Sequence, residues 1–82
     1  MILIIDDDSA VRSSLSFMLK RAGYEAQTVP GPREAMEVVR SVAPDLILMV
    51  MIFTLSTSGV EGLTLLKQVN IFRPETPVIL MT

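Results

Sequence analysis

The chain predicts an α/β domain in which helices cover a parallel β-sheet, and three observations carry that reading. Residues 46–53, Leu-Ile-Leu-Met-Val-Met-Ile-Phe, form an apolar run with no hydrogen-bonding side chain between Asp45 and Thr54. Such a run is too short to span a bilayer, which takes about 20 apolar residues. It suits a central strand with both faces covered by helices. Two shorter apolar runs, residues 2–5 and 78–81, lie near the two ends of the chain. Between the runs, apolar residues recur at helical rather than alternating spacing, so strands and helices take turns.

The first strand is residues 2–5, Ile-Leu-Ile-Ile, followed at once by Asp6, Asp7 and Asp8. Asp8 or Ser9 can cap the next helix by accepting a bond from a free backbone N–H of its first turn. Val11, Leu15, Met18, Leu19 and Ala22 form the apolar stripe of that helix, with Arg12, Ser16 and Lys20 on the other side. Gly23 is placed to end it, since glycine adopts the left-handed backbone of a helix C-terminus without steric cost. Residues 24–29 alternate imperfectly and suit a half-exposed edge strand. In Pro30-Gly31-Pro32, the second proline sits at the first position of a second helix. Its stripe is Ala35, Val38, Val39 and Val42, with Glu34 and Glu37 early and Arg40 late, as the helix dipole favours.

Pro44 closes that helix and the long apolar strand begins. A polar loop, residues 54–59, carries no phosphate-cradling pattern. A third helix then has Gly62, Leu65, Leu66, Val69 and Phe72 on one face and stops before Pro74. Residues 78–82 are a fourth strand. The order β-α-β-α-β-α-β with short links implies right-handed crossovers.

Composition excludes several kinds of chemistry. The 82 residues make one domain, with neither cysteine nor histidine. Disulfides, thiol catalysis, Cys/His zinc sites and histidine bases are therefore ruled out. Seven basic against nine acidic residues give a net charge of −2, which speaks against a nucleic-acid footprint. The N-terminus turns acidic after its first apolar run and lacks the basic segment of a signal peptide. A cytoplasmic protein without a membrane segment is the expectation. Half the residues are hydrophobic and the mean hydropathy is +0.53, so some apolar surface should meet a partner. The six methionines read as core filling.

In a parallel sheet of this kind, ligands bind beyond the carboxyl ends of the strands. Asp6, Asp7 and Thr82 fall there, and adjacent carboxylates can offer oxygens to a hard cation such as Mg²⁺. Four motifs then stand in order: Ile-Leu-Ile-Ile-Asp-Asp-Asp-Ser-Ala-Val-Arg, Pro-Asp-Leu-Ile-Leu-Met, Gly-Val-Glu-Gly-Leu-Thr-Leu-Leu and Pro-Val-Ile-Leu-Met-Thr. Together they resemble the receiver domain of bacterial two-component response regulators, over the full length of the chain. The resemblance implies a CheY-like, flavodoxin-like three-layer fold with sheet order 2-1-3-4. It places Asp6 and Asp7 on the family's Mg²⁺-binding acidic pair and Thr82 on its switch hydroxyl.

The same resemblance exposes two departures. Where the family has its phosphate-accepting aspartate, this chain has Val50, and two positions on, where the family gives the metal a backbone carbonyl, it has Ile52. Valine offers neither a nucleophile nor a metal-ligating oxygen. The family also continues through a further helix, a lysine-bearing fifth strand and a last helix beyond residue 82. Residues 1–82 are thus expected to form a single truncated receiver-like domain, not an enzyme. It should be unable to accept phosphate, with vestigial, weak Mg²⁺ affinity, and should be completed by homodimerisation through Val78, Ile79, Leu80 and Met81. The alternative is a pseudo-receiver that docks a histidine kinase or an output partner without phosphorylation. A third reading makes Asp6 or Asp7 a phosphoryl acceptor.

Overall fold

A computed structural model describes residues 1–50 and 60–81, with side chains for 1–50 and 63–81. Seven elements alternate: β1 (Ile2–Ile5), α1 (Ser9–Arg21), β2 (Ala26–Val29), α2 (Pro32–Ser41), β3 (Leu46–Val50), α3 (Val60–Phe72) and β4 (Val78–Met81). The strands form one parallel sheet in the order β2-β1-β3-β4. The α/β class and this strand order are those expected from the sequence. The apolar run continuing past Val50, the polar loop and Ile52 lie outside the described residues, as does Thr82.

The register is simple. Ile2–Ile5 pair in step with Ala26–Val29 on one side and with Leu46–Met49 on the other. Val78–Met81 pair in step with Ile47–Val50. Side chains alternate between sheet faces, so Leu3, Ile5, Val29, Ile47 and Met49 share one face. There they form a single core with Ala35, Met36 and Val39 of α2 and Leu65 and Val69 of α3. Each fully buried aliphatic side chain of this kind contributes about 1.5–3 kcal/mol. The opposite face, with Ile2 and Ile4, lies under α1.

Polar ties close the edges of this core. The Thr76 hydroxyl, itself buried, donates to the Pro44 carbonyl at 3.1 Å. Arg73 Nε donates to the Val39 carbonyl at 2.9 Å, tying the segment after α3 to α2. The amino terminus pairs with Asp45 at the entry to β3. Asp8 caps α1, its side chain accepting from the N–H groups of Ala10 and Val11. Gly23, at φ 94°, turns the chain out of α1 where a side chain would be strained.

Four expectations need correction. The uninterrupted apolar run implied a β3 covered on both faces, yet Leu46, Leu48 and Val50 are only half-buried. Both α2 and α3 lie on the Ile47–Met49 face, and α1 contacts β1 and β2 on the other, which leaves the second face of β3 partly open. Helix α1 is also rotated from the expected stripe. Met18 is 64% exposed while Arg12 and Ser16 are half-buried, because the Arg12 guanidinium turns inward to a backbone carbonyl at the end of β1. In α2 the buried set is Ala35, Met36 and Val39, whereas Val42 is the exposed C-cap residue, already in extended backbone. Finally, Phe72 at the end of α3 lies half in solvent, with the Arg40 guanidinium 5.3 Å above its ring.

Candidate functional site

The carboxyl ends of β1, β3 and β4 come together at one edge of the sheet. Ile5 is level with Met49, so one register step further sets Asp6 beside Val50. Val50 is in turn level with Met81. Alternation turns Asp6 and Val50 toward the same face, continuing Ile4 and Leu48. Two of the expected site positions, Asp6 and Val50, are thus brought together as strand neighbours.

Asp6 is completely buried, which is costly for a carboxylate. Its Oδ1 accepts from the Asp8 N–H at 3.2 Å. Among the described residues its Oδ2 has no partner at all. Burial pushes the carboxyl above its ordinary pKa; the Asp8 N–H opposes that shift, and the neighbouring Asp7 and Asp8 charges add to it. Asp7, one residue on, is exposed. The backbone of β1 is held from behind: Asp6 N–H donates to the Val29 carbonyl at 3.2 Å. In front, Arg12 Nη1 donates to the Asp6 carbonyl at 2.6 Å.

Arg12 is a site residue the sequence reading placed on the solvent side. The signal was present: a helix that starts directly after a strand returns over the sheet, so its first turn sits beside the strand end. Arg12, one turn after the Asp8 cap, therefore faces the Asp6 carbonyl and holds that corner rigid.

The donor set can be compared with what a hard divalent cation requires. Mg²⁺ takes six oxygens in octahedral array and usually keeps several waters. The orphaned Asp6 Oδ2 is the oxygen type such an ion prefers but is enclosed, and the exposed Asp7 is the second carboxylate nearby. Val50, beside Asp6, offers only methyl groups and no oxygen. Among the described residues no group of three acidic, histidine or cysteine side chains is placed to hold a metal. Among the described residues the donor set is two carboxylates, fewer oxygens than a tight Mg²⁺ site takes from a protein.

The β4 positions expected at an interface are largely open to solvent: Ile79 is 48% exposed, Leu80 46% and Met81 36%, with Val78 half-buried. No helix among the described residues is long and apolar enough to cross a membrane.

Comparison with known proteins sets this geometry in a family. The response regulator receiver domain matches residues 2–82. The DNA-binding transcriptional regulator NtrC of Escherichia coli K12 is 37% identical over 79 residues, covering 96% of this chain but 16% of its own length. Sporulation initiation phosphotransferase F of Bacillus subtilis is 30% identical over 81 residues, covering 99% of this chain and 62% of its own. Among solved structures, a CheY-like receiver from Methanospirillum hungatei superposes with a TM-score of 0.85 at 28% identity, over 96% of this chain and 60% of that one. The receiver domain of the hybrid histidine kinase CckA gives 0.80 at 30% identity, over 96% and 71%. The chain thus spans about a sixth of the NtrC it matches. With the parallel order β2-β1-β3-β4 and a family match from end to end, this chain belongs to the response regulator receiver domain family of two-component signalling.

Proposed function

We propose that this receiver domain does not accept a phosphoryl group, and that it contributes to two-component signalling as a fixed structural module. The observation that carries the reading is Val50 at the carboxyl end of β3, one register step beside the buried Asp6. An acyl phosphate needs a carboxylate oxygen to attack phosphorus, and a valine side chain has no lone pair to offer. Asp6 is a poor substitute, because its one unpartnered oxygen is enclosed. Asp7 is exposed but has no preorganised partner to stabilise the charge that phosphoryl transfer develops. Magnesium affinity is weak for the same reason, with two carboxylates where three are wanted. Kinase and output contacts, where made, are independent of phosphorylation.

For the polypeptide of residues 1–82, the reading extends to self-association through β4. Its support is the exposure of Ile79, Leu80 and Met81 on the outermost strand of the described sheet. An apolar outer strand with unpaired backbone groups and no guarding lysine or internal proline is a template for pairing. A two-fold axis beside β4 would join two sheets with an antiparallel centre.

Beryllofluoride tests the first reading, since it binds to a carboxylate oxygen much as a phosphoryl group would. With Mg²⁺ present, fluorine NMR should show only free fluoroberyllate species. A slowly exchanging protein-bound resonance would overturn the reading.

A further inference from the structure

Helix α1 stands apart electrostatically from the rest of this acidic chain. Between Ser9 and Arg21 it carries Arg12, Lys20 and Arg21 and no carboxylate. Ser9, Arg12, Ser13, Ser16 and Lys20 lie along one side of the helix and, with Thr28 of β2, line an open groove. No acidic side chain lines it, and among the described residues neither Arg12 nor Lys20 forms an ion pair. Arg12 spends one N–H on the Asp6 carbonyl and keeps four for other acceptors.

The shape of the groove narrows what it can hold. Arg12 and Lys20 are eight residues apart, so the two cations are separated along the helix axis by ~12 Å. A single small anion cannot bridge that distance, whereas residues i and i+4 of an extended peptide are about 13 Å apart. The groove also runs beside β2, the outermost strand on its side of the sheet, whose outer backbone groups face away from β1. An added strand can pair there. Phe17, 61% exposed under the Arg21 guanidinium, lies between the two cations and offers an apolar contact for a side chain between the acidic ones. Asp7 and Asp8, just before the helix, bound the favourable region on the Arg12 side.

We propose that the groove between α1 and β2 binds an extended acidic peptide segment, with carboxylates four residues apart on Arg12 and Lys20 and its backbone along β2. The hydroxyls of Ser13, Ser16 and Thr28 serve the carboxylate oxygens and any backbone group that β2 leaves unpaired. The proposal does not depend on the state of Val50.

Fluorescence anisotropy tests it, using a labelled peptide of alternating threonines and valines with two glutamates four residues apart. A second peptide has lysines in place of both glutamates. The whole chain should bind the glutamate peptide saturably at low ionic strength and ignore the lysine peptide. Lys20→Glu, on an exposed position, should weaken binding roughly tenfold or more, the equivalent of 1.4 kcal/mol. Lys67→Glu on α3 should leave it unchanged, with circular dichroism showing both variants folded. Amide shifts induced by the peptide should concentrate on α1 and residues 26–29. No saturable binding, equal affinity for Lys20→Glu, equal binding of the lysine peptide, or displacement by equimolar inorganic phosphate would each overturn the proposal.

Discussion

Replacing Val50 by aspartate would set a new carboxylate beside the buried Asp6, and it should destabilise the domain. Val50 is half-buried at the end of β3, so losing its side chain from the apolar face costs about 1 kcal/mol, half the value for full burial. The new carboxylate would stand beside Asp6, one strand spacing of about 4.8 Å away. Asp6 is fully buried with an orphaned oxygen, so the pair is poorly screened. At an effective dielectric constant of about 20, two unit charges ~5 Å apart repel by roughly 3 kcal/mol. The sum, about 4 kcal/mol, approaches the whole stability of a small domain. Thermal melts at about pH 8 without divalent metal should show Val50→Asp melting at least ~15 °C lower at 4–8 °C per kcal/mol. Added Mg²⁺ should recover part of the loss for Val50→Asp and little for the unaltered protein, because a third carboxylate completes the oxygen set. A melting temperature unchanged or raised by Val50→Asp in chelator would refute this account of the site.

Further expectations follow from the same geometry. The buried Asp6 carboxyl has a higher pKa folded than unfolded, so the folded state holds its proton more tightly. Its stability contribution is therefore full below the unfolded value of ~3.9, declines as pH rises through the folded value and is flat above it. Asp6→Asn keeps an acceptor for the Asp8 N–H and removes the buried charge, so it should raise the melting temperature at neutral pH and flatten that decline in denaturant titrations. Thr76→Val should cost about 1–3 kcal/mol in urea unfolding, because the buried Pro44 carbonyl loses the hydroxyl that serves it. Ile79→Lys should convert any dimer of residues 1–82 to monomer in light scattering, whereas Lys67→Glu should leave the mass unchanged; a dimer that survives Ile79→Lys would exclude β4 as the interface.

Much of this fold was legible because local signals agreed with one another. Asp8 as a cap, Gly23 as a stop and Pro32 as a first helical residue each act within one turn, and each stands where expected. The parallel order follows from short apolar runs separated by single helices. What the sequence left open depends on which helix covers which face. Leu46, Leu48 and Val50 are as apolar as Ile47 and Met49, yet only the latter two meet α2 and α3. Hydrophobicity alone does not record that difference. The rotation of α1 was hidden for a related reason: a stripe drawn through Val11, Leu15 and Met18 ignores that Arg12 has a carbonyl to reach. At the site, the meeting of Asp6 and Val50 needed the register between β1 and β3, which no single segment carries. The identity of Val50 itself was plain in the sequence, and the geometry supplies the reason it matters.

The central claim is that the end of β3 cannot carry a phosphoryl group, and covalent mass tests it most directly. The protein is incubated with acetyl phosphate and Mg²⁺, quenched in acid and measured intact, with a receiver that retains the β3 aspartate treated in parallel. The control should gain the mass of one phosphoryl group, while this chain should keep its own mass throughout. A single phosphoryl adduct on this chain, mapped to Asp6, Asp7 or any other residue, would contradict the account.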